Sequence, residues 1–344
     1  MKTISLALCS SLCVTLILLS LAACNTSKAA FAWEIVQAIG TPTARHEAGL
    51  VAIENNIFLI GGRRVNPTDV CNTETQRWTR KSAPPFELHH FQPVAWQGKI
   101  YILGAMTGQW PNEVPVKHVI IYDPLSDQFT IGDPIPTHRQ RGAAGAVAYR
   151  DKIYLIGGIT RGHMGGYQAW FDEYDPKHGQ WRELDNAPNA RDHFQAATAA
   201  HYLFAFAGRT TSKETDQDMS LTVKYGNVYD FDTEQWLAVS EQEALPTLRA
   251  GNSAIALGSN VIIAGGESVS QVPAHTEVDV YDIATKTWRA WPSNLEGRHG
   301  TGLVRVDEYL YTISGSGNRG GGPELTTIER LNLSGMPFCS ASCK

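Results

Sequence analysis

One pattern constrains this chain more than any other: a short apolar run that closes on glycine and recurs six times. The runs are IFLIGG (57–62), IYILGA (100–105), IYLIGG (153–158), LFAFAG (203–208), VIIAGG (261–266) and LYTISG (310–315). A period of about fifty residues sustained over six units is the signature of a repeat architecture, in which each unit is one supersecondary element stacked against its neighbours. A second apolar run precedes most of them, as in GLVAI (49–53), QPVAW (92–96), AGAVAY (144–149) and NSAIAL (252–257). The polar residues between the two runs, ENN, QGK or RDK, have the chemistry of a tight hairpin turn.

A third run ends in an aromatic–Asp pair, as in IIYD (120–123), DEYD (172–175), NVYD (227–230) and DVYD (279–282). Six residues after that Asp comes an aromatic: Phe129, Trp181, Trp236 and Trp288. In the first unit Cys71-Asn72 replaces the pair and Trp78 keeps its place. Each unit therefore reads as four short antiparallel strands, and beyond the N-terminal segment no stretch carries a sustained helical period. The sixth unit is incomplete, because TIERLNL (327–333) is not followed by a Trp. Trp33 lies 12 residues before Arg45, within the 10 to 13 residues at which other units place their aromatic before the next unit. Residues 32–37 are thus expected to supply the outer strand of the last sheet, with Phe338 as the rival for that place. Joining the chain ends in one sheet would leave no unpaired edge in the ring.

The glycine pairs, the Tyr-Asp pairs and the spaced Trp resemble the kelch motif, from residue 32 to about 333. The resemblance implies an all-β, six-bladed β-propeller with four antiparallel strands per blade, closed by the N-terminal strand, around a central channel. Its expected extent is 32–338, followed by a tail at 339–344.

Sixteen residues before the first glycine position of each unit stand Arg45, Leu88, Arg141, Arg191, Arg249 and Arg298. Five arginines at one repeat position would ring one mouth of a propeller, and guanidinium forks match carboxylates bidentately. Such a mouth would favour an anionic ligand. Within the kelch resemblance, some adaptor proteins grip acidic peptides through arginines at matching positions, and bacterial sialic-acid mutarotases handle a carboxylated sugar. The opposing expectation is that these arginines bond loop carbonyls and neighbouring carboxylates. His46, His89 and His299 follow the column on consecutive blades and join the candidate binding residues. Three histidines could hold a metal, but a residue next to a channel-facing one points away from it, so neither metal nor other cofactor is expected. Copper chemistry of the related galactose-oxidase propeller has no support, since the one core cysteine, Cys71, sits in a third strand. Glu47, Asp192 and Glu267 are candidate acids near the mouth.

The loops between second and third strands are long in units two to four: 105–117, 159–170 and 209–224. Trp110, Tyr167 and Trp170 on the first two suit sugar faces or protein anchors. GSGNRG (315–320) matches a dinucleotide-binding pattern, but GGPELTTIE follows it, so no helix N-terminus can receive a phosphate.

Residues 1–23, MKTISLALCSSLCVTLILLSLAA, read as a secretory signal. Leu21-Ala22-Ala23-Cys24 resembles the bacterial lipobox, which implies lipidation at Cys24, a tether over 24–31, and residence in the cell envelope. Asn25 after the Cys favours the outer membrane, on its periplasmic or surface face. Cys339 and Cys343, in CSASC, are the candidate disulfide pair, which an oxidising compartment permits. A formal net charge of −5 without basic blocks argues against a nucleic-acid partner. The expected function is a lipid-anchored, non-catalytic binding module for an anionic glycan or an acidic protein segment. The alternative is a carbohydrate-active enzyme that interconverts sugar acids as a mutarotase or epimerase.

Overall fold

Each repeat unit folds into one four-stranded antiparallel sheet, and six such sheets make a β-propeller. The computed structural model describes residues 31–334 and Met336; Cys24, Phe338, Cys339 and Cys343 lie outside them. Blade 1, for example, comprises Ala48–Ile53, Asn56–Gly61, Thr68–Asn72 and Arg77–Lys81, from the axis outward. The inner two strands are joined by two-residue turns, as in the Ile53↔Asn56 and Trp96↔Lys99 pairs. Gln97 and Gly98 both have positive φ in the latter, the backbone such turns require to match strand twist.

The aromatic–Asp pair has two separate jobs. The Asp side chain accepts backbone N–H bonds two and three residues on, as Asp123 does from Leu125 and Ser126 and Asp282 from Ala284 and Thr285. This shapes the turn into the fourth strand. The Tyr stands directly opposite the fourth-strand aromatic: Tyr122↔Phe129, Tyr174↔Trp181, Tyr229↔Trp236 and Tyr281↔Trp288. Such cross-strand pairs stabilise a sheet by roughly 0.2–1 kcal/mol each.

The same register identifies the closing strand. Trp33–Ile35 pairs with Ile328–Asn332, and Trp33 sits opposite Leu331, the place that Trp181 takes opposite Tyr174. Its indole Nε1 donates to the Pro292 carbonyl at 2.9 Å, and its ring is buried between blades 5 and 6. Both ends of the propeller thus meet in one sheet.

Apolar side chains fill every interface between neighbouring blades. One cluster joins Phe58, Ile60 and Val70 of blade 1 to Ile100, Ile102 and Tyr122 of blade 2, and a matching cluster joins blades 6 and 1. The channel is not open from end to end. The Gln92 amide bridges blade 3 at Ala146 N–H and blade 4 at Ala196 N–H and C=O. Gln195 bridges blade 5 at Ala254 N–H and blade 6 at the Thr301 carbonyl.

Candidate functional site

The arginine column faces into the blades and not into the channel. Arg45, Arg141, Arg191, Arg249 and Arg298 are all buried. Each guanidinium donates to the carbonyl 16 residues later: Gly61 for Arg45, Gly157 for Arg141, Ala207 for Arg191, Gly265 for Arg249 and Ser314 for Arg298. The constant spacing in the sequence is therefore a hydrogen bond. Four of the five also pair with a third-strand carboxylate: Arg45 with Asp69, Arg141 with Asp172 at 2.6 Å, Arg249 with Asp279 at 2.7 Å and Arg298 with Glu329 at 2.5 Å. The expectation of an arginine-lined mouth is corrected accordingly. Blade 2 has Leu88 in the arginine position and Ile120 in the carboxylate position, both fully buried in one apolar cluster. Blade 4 has Asn227 in the carboxylate position, so burial alone drives the Arg191 pKa down.

The backbone of the same column joins the blades. The second glycine of a unit donates its N–H to the next unit's arginine carbonyl: Gly158 to Arg191, Gly208 to Arg249, Gly266 to Arg298 and Gly315 to Arg45. A Cβ on Gly265 would stand 2.2 Å from the Arg298 carbonyl oxygen, and its φ is +62°. Only glycine accepts both conditions.

Two residues after the arginine position, the chain turns left-handed in every blade: Glu47, His90, Ala143 and His193 have φ of 50–55°, and Gly251 and Gly300 have φ of 64°. Here a backbone belt circles the axis. His90 N–H donates to Glu47 C=O, Ala143 to His90, His193 to Ala143, Gly251 to His193 and Gly300 to Gly251, and Ala48 N–H returns to Gly300. The belt aims Glu47, His90 and His193 inward, while Ala143, Gly251 and Gly300 leave room for them.

Above the belt lies a cavity of about 480 Å³ with lining from all six blades, including Glu47, Arg63, His90, His163, Arg209, Glu267 and His299. The long loops reach in over it. Glu113 on the blade 2 loop accepts from Arg63 at 2.6 Å, faces His163 Nδ1 at 3.0 Å and accepts the His163 N–H. Arg209 pairs with Glu267 at 2.5 Å. His299 stands between two carboxylates, with Nδ1 3.5 Å from Glu47 and Nε2 3.5 Å from Glu267.

This arrangement separates protonation states. Burial would lower the His299 pKa, but Glu267 and Glu47 outweigh it and lift it to about 9. Burial pushes the Glu47 carboxyl up, and the bond and charge of His299 overcome this to hold it well below the usual carboxylate range. Glu113, buried but bonded by His163 and Arg63, falls to about 2. Burial raises Asp192 to about 6 against the pull of Arg209. His90 and His193, buried and surrounded by other cationic or imidazole groups, are held well below their ordinary range and so are neutral at pH 7. A site with an imidazolium flanked by carboxylates beside neutral imidazoles offers both proton donors and acceptors.

The kelch assignment follows from comparison as well as from geometry. The KLHDC2/KLHL20/DRC7 Kelch-repeats domain model matches residues 143–344, more than half of the chain. This chain belongs to the kelch-repeat family. It is 28% identical over 281 residues to the Kelch-like protein terF of Aspergillus terreus, a match covering 76% of this chain and 59% of that protein. It is 25% identical over 303 residues to beta-scruin of Limulus polyphemus, covering 80% of this chain and 31% of that protein. The chain thus spans less than two thirds of the length of these curated relatives. Among solved structures it is similar to that of YjhT, with a TM-score of 0.68 and 14% identity over 83% of this chain and 95% of that one, a likeness of fold.

The other sequence candidates divide. His46 lines the mouth cavity and bonds Glu324 at 2.8 Å through Nδ1. Trp110 lines it too and is 52% exposed, with Lys213 Nζ 5.4 Å from its ring. Tyr167 is exposed on its loop and is not among the lining residues. Trp170 packs against the blade, under the guanidinium groups of Arg139 and Arg141 at 4.7 and 5.7 Å. His89 is buried beneath the cavity, with Nδ1 2.6 Å from His90 Nδ1. The histidine trio of the sequence reading, His46, His89 and His299, does not converge. The histidines that converge are His90, His163 and His193, and none of these stood out in the sequence, nor did Arg63, Glu113 or Arg209. The belt column was accessible by alignment: two positions past the arginine the units read Glu, His, Ala, His, Gly, Gly.

Proposed function

We propose that this propeller is an extracytoplasmic binding module, tethered through Cys24, whose mouth cavity takes a small hydroxyl-rich ligand of the sugar or sugar-acid class. The observation that carries this reading is the mixed polar lining of a cavity of about 480 Å³, within the ordinary range for small-molecule sites. Carboxylates alternate there with guanidinium and imidazole groups, and a hydroxyl is the ligand group that can donate to the first and accept from the second. Trp110 at the rim offers a half-exposed aromatic face of the kind that packs on a sugar ring. A carboxylate on the ligand would meet Arg63 and Arg64, which line the same cavity. A flat protein-binding surface would need none of this buried ionic detail.

The test is calorimetric titration of the purified protein with neutral monosaccharides, glucuronate and N-acetylneuraminate. Saturable binding that Trp110→Ala weakens without lowering the melting temperature supports the reading; no binding across the panel refutes it. The mutarotase or epimerase reading is favoured by one specific arrangement, the His299 imidazolium held between Glu47 and Glu267 in that cavity. Freshly dissolved sugar acid followed by NMR would then reach anomeric equilibrium faster with the protein than without it, and His299→Asn would abolish the difference. Lipidation is tested by labelling with a clickable fatty acid, which should mark the wild type and spare Cys24→Ala.

A further inference from the structure

Three buried imidazoles delivered by three different blades converge at the belt, two of them, His90 and His163, lining the cavity. His90 and His193 come from the belt of blades 2 and 4, and His163 from the long loop of blade 3. Their ring centroids are 4.7–5.2 Å apart, and one ring nitrogen from each lies within 4.8 Å of the others. Nothing in the packing of an all-β core requires three imidazoles to converge, and buried polar atoms are normally given partners.

The decisive detail is where each ring is already bonded. His90 meets His89 through Nδ1 at 2.6 Å, His163 meets Glu113 through Nδ1 at 3.0 Å, and His193 meets Asp192 through Nδ1 at 2.5 Å. In every case Nδ1 is taken by a neighbour outside the trio, which leaves Nε2. The Nε2 of His193 is buried and has no hydrogen-bond partner at all. The Nε2 of His90 faces Glu47 at 3.4 Å. For His163 and His193 the neighbour on Nδ1 is a carboxylate, the arrangement that fixes tautomer and ring orientation in metal sites.

We infer that His90, His163 and His193 form a three-histidine site for one divalent transition-metal ion, bound through their Nε2 atoms. Three imidazole ligands select zinc and its first-row neighbours over magnesium or calcium, which take oxygen ligands. Three nitrogens about 2.1 Å from a tetrahedral ion stand roughly 3.4 Å apart, against a spread of at most 4.8 Å between one ring nitrogen of each histidine here. The Glu47 carboxylate beside His90 stands where a fourth ligand or a metal-bound water would be received. This site does not depend on the sugar reading, because the ion is itself the ligand tested.

The purified full chain, stripped with a chelator and freed of any histidine tag, is titrated with Zn²⁺ in a calorimeter. One ion per chain is expected. His163→Gln, on a loop and outside the belt, should weaken binding by at least about a hundredfold, and Asp192→Asn by about ten- to a hundredfold. His201→Gln, in the exposed His201–Asp230–Asp232 group, should change nothing. Histidine ¹⁵N NMR supplies a readout that needs no variant: zinc should shift the Nε2 signals of three histidines and leave their Nδ1 bonds intact. Absence of stoichiometric binding, full affinity in His163→Gln, or zinc shifts confined to His201 would overturn the assignment.

Discussion

Replacing Arg249 by leucine removes a member of the arginine column that is bonded at all three guanidinium nitrogens. Its guanidinium donates to the carbonyls of Gly265 and Thr247 at 2.7 Å and Ile263 at 3.0 Å, and to Asp279 at 2.7 Å. Without it Asp279, 6% exposed, is a buried carboxylate with no cation. Breaking a buried pair in this way costs about 3–5 kcal/mol. At about 2–4 °C per kcal/mol, the figure for larger single domains, melting should fall by roughly 6–20 °C. Blade 2 shows what the alternative looks like, since Leu88 and Ile120 occupy both places with apolar side chains. The double variant Arg249→Leu, Asp279→Ile copies that blade and removes the stranded charge, so it should recover most of the lost stability. Differential scanning calorimetry of wild type, both single variants and the double variant completes the cycle. A single variant that melts like wild type, or a double variant no more stable than Arg249→Leu, would refute the view that the column is a set of internal ion pairs.

Other expectations follow from the same geometry. Trp33→Ala should cost about 3–5 kcal/mol, because the buried indole closes the ring against blades 5 and 6; a melting temperature equal to wild type would place the closure elsewhere. His299 has a folded-state pKa raised to about 9, so its stabilising contribution is full below about pH 6.5 and is lost as pH rises through 9. His299→Asn should flatten the decline of stability between those values, by at most about 3 kcal/mol, and an unchanged slope would show that Glu47 and Glu267 do not hold the imidazolium. Trp110→Ala should weaken sugar binding about tenfold, the order of one lost aromatic contact, with no change in melting.

The fold was legible because its determinants repeat in register. The interval of 16 between arginine and glycine positions turned out to be a bond within each blade, and the distance from Trp33 to Arg45 located the closing strand. The site was legible only in part, for a reason of backbone geometry. Side chains alternate along a strand, but Arg45-His46-Glu47 and its counterparts precede the inner strand, and Glu47, His90 and His193 adopt a left-handed backbone. The alternation therefore does not hold there: the arginines fold back into the blades and the third residue of each triplet faces the axis. His163 and Glu113 stand on loops without periodicity, and no spacing in the sequence says that Glu113 turns to meet His163. Glu47 and Glu267 were visible as acids near the mouth, whereas their embrace of His299 required three blades to be in place.

The claim that the arginines hold the blades while the belt and loops hold the ligand is tested most directly by one titration. The double variant Arg249→Leu, Asp279→Ile is titrated with whichever sugar or sugar acid binds the wild type. The account predicts an unchanged dissociation constant, since neither side chain lines the cavity. A tenfold or greater loss of affinity in the folded double variant would contradict it and return the binding site to the arginine column.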